Sequence, residues 1–197
     1  LRFSGANIGI QVYEKSYRKR ERDEARTLCT SLQLGFLYQN YIFGLENHTP
    51  IEAQMSKSIR CTILRGGTSK GIYLKESDLP VDPAAREKVI LSIFGSPDQR
   101  QIDGVGGADP LTSKVCIIGP PPENTPRADK AHLSYTFGQV EINEPTVDFR
   151  SLCGNLTSGV GAFAIWENMV RPIAPITTVR IWNTNLTSML YCEVPVE

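Results

Sequence analysis

Histidine is nearly absent from this chain: only His48 and His132 occur in 197 residues, and neither lies near a cysteine in sequence. The five cysteines, Cys29, Cys61, Cys116, Cys153 and Cys192, form no CxxC pair. These spacings exclude the usual zinc sites. An odd number of cysteines without pairing signals reads as free thiols in a reducing compartment. Net charge is also lacking, with 21 basic residues against 21 acidic ones, so there is no electrostatic footprint of a nucleic-acid binder. No apolar run is long enough to cross a bilayer as a helix. Two nucleotide signatures are missing as well. Arg65-Gly-Gly-Thr-Ser-Lys-Gly71 lacks the GxxxxGK[ST] spacing, and Gly104-Val-Gly106 lacks the third glycine of a dinucleotide fingerprint. What remains is 41% hydrophobic residues, enough for a core in one domain or a domain with an appendage.

Residues 1–54 differ from the rest. Tyr17–Arg26 is a mixed-charge run that reads as a solvated helix or disorder, too acidic for a mitochondrial presequence. Leu32–Leu45 is apolar without helical or strand periodicity. We expect the folded domain to span 55–197, with 1–54 an extension or a mistranslated leader. From Ile59 the punctuation is regular. Ile59–Leu64 and Gly71–Leu74 read as strands joined by a Gly66–Ser69 turn. Asp82-Pro83 opens a helix with Val89, Ile90, Ile93 and Phe94 on its apolar face and Gly95 as its C-cap. A glycine-rich loop covers 101–113, and a strand follows at Lys114–Ile118. Two strand segments, Ala131–Phe137 and Gln139–Ile142, pair or bend around Gly138. A helix over Asn155–Met169 and a hairpin of Val179–Trp182 with Leu190–Val194 complete an α+β pattern. The helix after Cys153 is apolar almost all round, despite Gly159 and Gly161, so we expect a buried central helix with strands packed tightly around it.

Cys153 carries the most chemical information. It sits where a loop turns into that helix, and Gly154 and Asn155 follow, so the backbone there can approach a ligand closely. Free N–H groups at a helix start attract anions and stabilise a thiolate. Such a cysteine suits a base or nucleophile in an enzyme acting on a carboxylate. Two further stretches place small residues and hydroxyls beside a basic group: Arg65–Gly71 and Gln101–Lys114. Each is weak alone.

Together, in this order, Arg65–Leu74, Gln101–Ile118 and Cys153–Ile165 resemble the PrpF-like isomerase family, which has the diaminopimelate epimerase-like fold. Asn183-Thr-Asn185 and Glu193-Val-Pro-Val196 are also similar to that family. The resemblance covers residue 57 to the C-terminus. It implies two similar halves, each a curved, mostly antiparallel sheet or barrel around a central helix, with the active site in the cleft between them. It further implies no metal and no cofactor, and a proton shift that moves a C=C bond in a small aconitate-like or oxaloacid-like polycarboxylate. By the same resemblance Cys153 and Lys114 handle protons. Gly154 and Asn155 bind a substrate carboxylate, and Arg65, Gly66, Gly67, Ser69, Gly106, Gly107 and Ser113 line the pocket. The chain matches the first half only, so its partner is a second domain or another copy of itself. The compartment implied is the cytoplasm rather than the mitochondrion.

Other residues read as structural. Cys61, Cys116 and Cys192 fall in strand patterns and read as packing. Asp103 reads as a loop anchor through local backbone hydrogen bonds. His132 reads as a neutral surface residue, and Trp166 and Trp182 as core or interface. Asn47-His-Thr, Asn155-Leu-Thr and Asn185-Leu-Thr match the glycosylation pattern but carry no meaning in a reducing compartment. Two rival functions are kept in view: an amino-acid racemase or epimerase on the same fold, and an inactive half-protein that only binds.

Overall fold

The computed structural model describes residues 9–13, 29–36, 57–123, 125 and 128–196. Ten strands and two α-helices fall within them: β1 (Gly9–Tyr13), β2 (Cys29–Phe36), β3 (Lys57–Ile59), β4 (Thr62–Gly66), β5 (Ser69–Lys75), α1 (Pro83–Phe94), β6 (Lys114–Gly119), β7 (Leu133–Val140), β8 (Val147–Asp148), α2 (Gly154–Trp166), β9 (Ile176–Asn183) and β10 (Ser188–Pro195). The main sheet runs β10-β9-β7-β6-β5-β4, with β8 on β7. It is mixed. Two neighbouring pairs, β5–β6 and β7–β9, are parallel, and the other ladders are antiparallel. The fold class is α+β, as expected. Of residues 1–54, two segments are described, β1 and β2, and they pair in a small sheet with β3. Neither strand was legible in the sequence. The charged run Tyr17–Arg26 lies outside the described residues.

Each face of the main sheet holds one helix. Ile72 and Leu74 of β5 and Val115 and Ile117 of β6 pack with Ile90, Leu91, Ile93 and Phe94 of α1. The alternate residues, Tyr73 of β5, Cys116 and Ile118 of β6 and Leu133, Tyr135 and Phe137 of β7, pack with Leu156, Val160, Phe163 and Ala164 of α2. This is the period of two that makes a strand two-faced. The helix α1 has the ends expected for it. The Asp82 carboxylate accepts from the Ala85 N–H at 2.8 Å, Pro83 is the first helical residue, and Gly95 closes the helix with φ 77°.

The sheet curls around α2, as glycine contacts at both edges show. A Cβ on Gly66, at the β4 edge, would lie 1.9 Å from the Asn155 carbonyl oxygen. One on Gly161, inside α2, would lie 2.7 Å from both Cys192 and Val194 of β10 at the other edge. The helix is not buried all round, however. Gly154, Asn155, Ser158 and Trp166 are exposed, because the sheet leaves one side of α2 open. It also ends at Trp166, earlier than expected. Asn168 takes the left-handed conformation (φ 57°), and the Met169 N–H turns back to the Ala164 carbonyl at 2.8 Å. Asparagine adopts that conformation more readily than most residues and so stops helices.

Two other boundaries differ for local reasons. The β4–β5 turn is only Gly67-Thr68, since Gly66 and Ser69 already pair across the ladder. Residues 133–140 form one unbroken strand rather than two bent segments. Gly138 makes room there for Val115 and Val147, whose methyls would lie 2.7 and 2.8 Å from an added Cβ.

Candidate active site

Cys153 is the N-cap of α2, with extended backbone (φ −106°, ψ 103°) and no side-chain capping bond. Its thiol lies 3.7 Å from the Ser69 hydroxyl, at the first residue of β5. The first three N–H groups of an α-helix have no partner within it. Here those of Gly154, Asn155 and Leu156 find no backbone acceptor among the described residues. A Cβ added at Gly154 would meet nothing within 4 Å, so this helix mouth faces open space. Cys153 is therefore a half-buried thiol beside unpaired donors, on the positive end of a helix dipole.

The β4–β5 hairpin fixes the helix mouth from one side. The Asn155 side-chain amide donates to the Thr68 hydroxyl at 2.8 Å. Gly67, with φ 53°, lets the turn approach closely, because a Cβ there would lie 2.4 Å from the Asn155 Oδ1. Gly66 and Gly67 are thus required by contact with α2. One of the two Asn155 amide hydrogens is thus engaged by the turn. Arg65 is exposed and donates from Nε to the Gly67 carbonyl at 3.1 Å.

Lys114 opens β6 on the α2 face, two positions before Cys116, which places it on the same side of the sheet as Ser69 and Cys153. It is 9% exposed. Its ammonium donates to Gln139 Oε1 at 2.5 Å and stands 5.3 Å from the Phe137 ring centre. Gln139 in turn donates to the carbonyls of Ser113 and Pro110. A buried cation held by one neutral side chain and a ring face remains available to an incoming anion.

The glycine-rich loop is organised by a residue that the sequence did not single out. Gln101 is 1% exposed and has φ 46°. Its Oε1 accepts from the Ala108 N–H and the Ser113 hydroxyl, each at 2.8 Å, and its amide donates to Ser96 at 3.0 Å. A Cβ on Gly106 would strike Gln101 Oε1 at 2.1 Å, and one on Gly107 would strike Thr112 Oγ1 at 2.1 Å. Gly106 also donates to the Phe94 carbonyl of α1 at 3.2 Å, and the Ser113 carbonyl accepts from the Val140 N–H of β7 at 2.9 Å, but no hydrogen bond among the described residues joins Gly106, Gly107 or Ser113 to Cys153. The carboxylates that hold this loop are Asp98, accepting from the Ile102 N–H at 2.9 Å, and Asp109, accepting from the Leu111 N–H at 2.7 Å. Asp103, the expected anchor, makes no such bond among the described residues. Hydrogen bonds from the Ile102 and Arg100 backbones hold the Asp98 carboxyl below its ordinary range.

Residues 56–197 match the family described as PrpF protein. The chain belongs to the PrpF family. Among PrpF relatives, the 3-methylitaconate isomerase of Eubacterium barkeri is 57% identical over 139 residues, covering 71% of this chain and 35% of the relative. The 4-oxalomesaconate tautomerase of Pseudomonas putida is 44% identical over 137 residues, covering 70% and 37%. The 2-methyl-aconitate isomerase of Shewanella oneidensis is 41% identical over 150 residues, covering 70% and 36%. A crystal structure of methylitaconate-delta-isomerase superimposes with a TM-score of 0.66 at 56% identity, over 71% of this chain and 35% of that one. The chain therefore spans little more than a third of the length of these PrpF relatives.

The stretch Asn183-Thr-Asn185 also acquires a physical role. The Asn185 side chain pairs with β7 like a strand residue, accepting from the Phe137 N–H and donating to the Phe137 carbonyl, both at 2.8 Å. It donates as well to the Phe149 carbonyl at 2.6 Å, four residues before Cys153. Asn183 is fully buried and bonds to the Tyr135 carbonyl and Asn185. The motif ties the approach to Cys153 onto β7. In the sequence only its resemblance to the family marked it.

Proposed function

We propose that this chain supplies the thiol-bearing half of a PrpF isomerase or tautomerase that moves a proton, and with it a C=C bond, along a small polycarboxylate. The observation that carries the reading is Cys153. It is an uncapped thiol at an open helix mouth, with unpaired N–H groups beside it and a buried ammonium on the same face of the sheet. The names of the similar proteins, methylitaconate isomerase, oxalomesaconate tautomerase and methyl-aconitate isomerase, support the substrate class. They lend the racemase alternative no support.

The chemistry follows from the groups present. Removing a proton near a carboxylate spreads negative charge onto its oxygens. Donors fixed in advance at that place lower the barrier, because they need not reorganise as the charge develops. The N–H groups of Gly154 and Asn155 are such donors, and Lys114 adds a full positive charge. The allylic shift needs a proton taken from one carbon and one delivered to another. Cys153 and Lys114 share this task, each moving a proton at its sulfur or nitrogen.

Deuterium incorporation from heavy water into methylitaconate-like and aconitate-like acids, catalysed by the full-length protein, tests the proposal. Uptake at the allylic position is expected, and Cys153→Ser should reduce it by about 10²–10⁴-fold. No uptake by the wild type, or uptake unchanged in Cys153→Ser, defeats the reading.

A further inference from the structure

Beneath the helix mouth lies a buried polar cluster that the proposed mechanism does not use. Tyr73 of β5, fully buried, donates from its hydroxyl to the Leu156 carbonyl in the first turn of α2 at 2.5 Å. Cys116 lies 3.7 Å from the Tyr135 hydroxyl in the same cluster. The Leu156 carbonyl is also placed to accept the ordinary helical bond from residue 160, so the tyrosine bond is an addition to the helix rather than a replacement within it.

Gly159 shows that this addition is built in. A glycine inside a helix costs roughly 1 kcal/mol relative to alanine, and nothing about the Gly159 backbone requires one, since its φ is helical. What requires it is Tyr73. A Cβ at residue 159 would lie 2.5 Å from the tyrosine oxygen and 3.0 Å from the ring carbon that bears it. The helix forgoes a side chain at that position so that one hydroxyl can reach its backbone.

The attachment is one of two that tie successive residues of this turn to the sheet, Asn155 to Thr68 and Leu156 to Tyr73, while the Thr157 hydroxyl bonds back to the Cys153 carbonyl at 3.0 Å within the turn itself. Cys153 immediately precedes this turn, so its sulfur and the neighbouring N–H groups move with it. The hairpin contact is exposed to solvent, whereas the Tyr73 contact is dry. A hydrogen bond in a dry site holds its geometry more firmly than one in competition with water.

We propose that Tyr73 is a positioning residue for Cys153: its buried hydroxyl, admitted by Gly159, sets how the first turn of α2 stands over Ser69 and therefore where the thiol and its flanking N–H groups point. Burial keeps the Tyr73 hydroxyl protonated, so it acts as a fixed donor and takes no part in proton transfer. The functional part of this inference rests on the isomerase reading above; the placement of the thiol does not.

Two readouts on the full-length protein separate those dependences. Tyr73→Phe removes one oxygen and keeps the ring. It should lower kcat about tenfold, since misplacing a reacting group costs rate. It should also slow iodoacetamide alkylation of Cys153 at neutral pH about threefold, read by mass spectrometry of the Cys153 peptide, because the thiolate loses aligned donors. Gly159→Ala displaces the same hydroxyl without altering Tyr73 and should slow both rates. Its loss in Tm should shrink in the Tyr73→Phe background, where the 2.5 Å contact no longer exists. Unchanged kcat and unchanged alkylation in Tyr73→Phe overturn the proposal, as does an equal Tm cost of Gly159→Ala in both backgrounds. A wild type without turnover whose Cys153 alkylation still slows in Tyr73→Phe refutes the isomerase reading and supports the positioning.

Discussion

The four cysteines whose side chains are described occupy different surroundings. Burial pushes the thiols of Cys61 and Cys116 up to about 12, and for Cys116 the neighbouring Tyr135 hydroxyl offsets only part of that. Cys192 is half-buried on β10 and is raised by the same cause. Cys153 alone stands at a helix mouth that opens to solvent. Because only the thiolate reacts, a raised pKa delays labelling to higher pH, and three pH units lower the thiolate fraction about a thousandfold. In the native protein at neutral pH, iodoacetamide should therefore label Cys153 first, with Cys61 and Cys116 unlabelled until the pH approaches 12 or the chain unfolds. Peptide mass spectrometry across a pH series checks this. Labelling of Cys116 at the pace of Cys153 would contradict the burial. The sequence placed Cys153 at a helix start, where the structure has it, because a glycine after a cysteine there is a local pattern. Cys61 and Cys116 also read as packing residues from their strand context.

At the scale of elements, α2 and its glycines show where local reading stops. The sequence marked Gly159 and Gly161 as a cost that tight packing would explain, and each does meet a packed neighbour. Which neighbours they meet was not legible, since Tyr73 and Cys192 lie far from them in the chain. The same limit hid Gln101, a polar residue in a polar loop until the fold buries it. It also hid the continuity of β7, because Gly138 looks like a bend until Val115 and Val147 arrive beside it. Strand and helix cores followed from periodicity and caps; their ends depended on tertiary partners. Gly154 and Gly161 give a direct comparison. Alanine at Gly161 gains helix propensity but meets Cys192 and Val194 at 2.7 Å, and overpacking of this kind costs about 1–3 kcal/mol. Alanine at Gly154 meets nothing within 4 Å and should change stability by less than about 0.5 kcal/mol. Its methyl would enter the space before the thiol, however, so turnover should fall. Denaturant melts and deuterium-exchange rates on the two variants test the pair. Equal loss of stability would mean that the sheet does not close on α2 at β10.

Across the whole molecule, α2 is held differently at its two ends. The mouth is set by the hairpin, Tyr73 and the Asn185 tie on the preceding segment. The far end is held by charge. Glu167, the residue after Trp166, has its side chain 10% exposed and meets Lys75 at the end of β5 at 2.6 Å and Arg60 before β4 at 3.2 Å. The two bridges are unequal. Arg60 is 57% exposed, and a pair with so solvated a partner contributes little, about 0–1 kcal/mol. Lys75 is 28% exposed, so removing the Glu167 charge would leave a partly dehydrated ammonium without its partner. A fully buried pair broken in this way costs about 3–5 kcal/mol, and the exposure of both cations here reduces the cost well below that. Glu167→Gln should therefore destabilise the protein by about 1–2 kcal/mol, seen as a lower urea midpoint with an unchanged m-value. Added salt should narrow the gap between variant and wild type, since it screens the exposed Arg60 pair. The alkylation rate of Cys153 should not change, because three other attachments set the first turn of the helix. A Glu167→Gln protein whose Cys153 reacts more slowly at unchanged stability would show instead that the clasp, and not the hairpin and Tyr73, sets the position of the thiol.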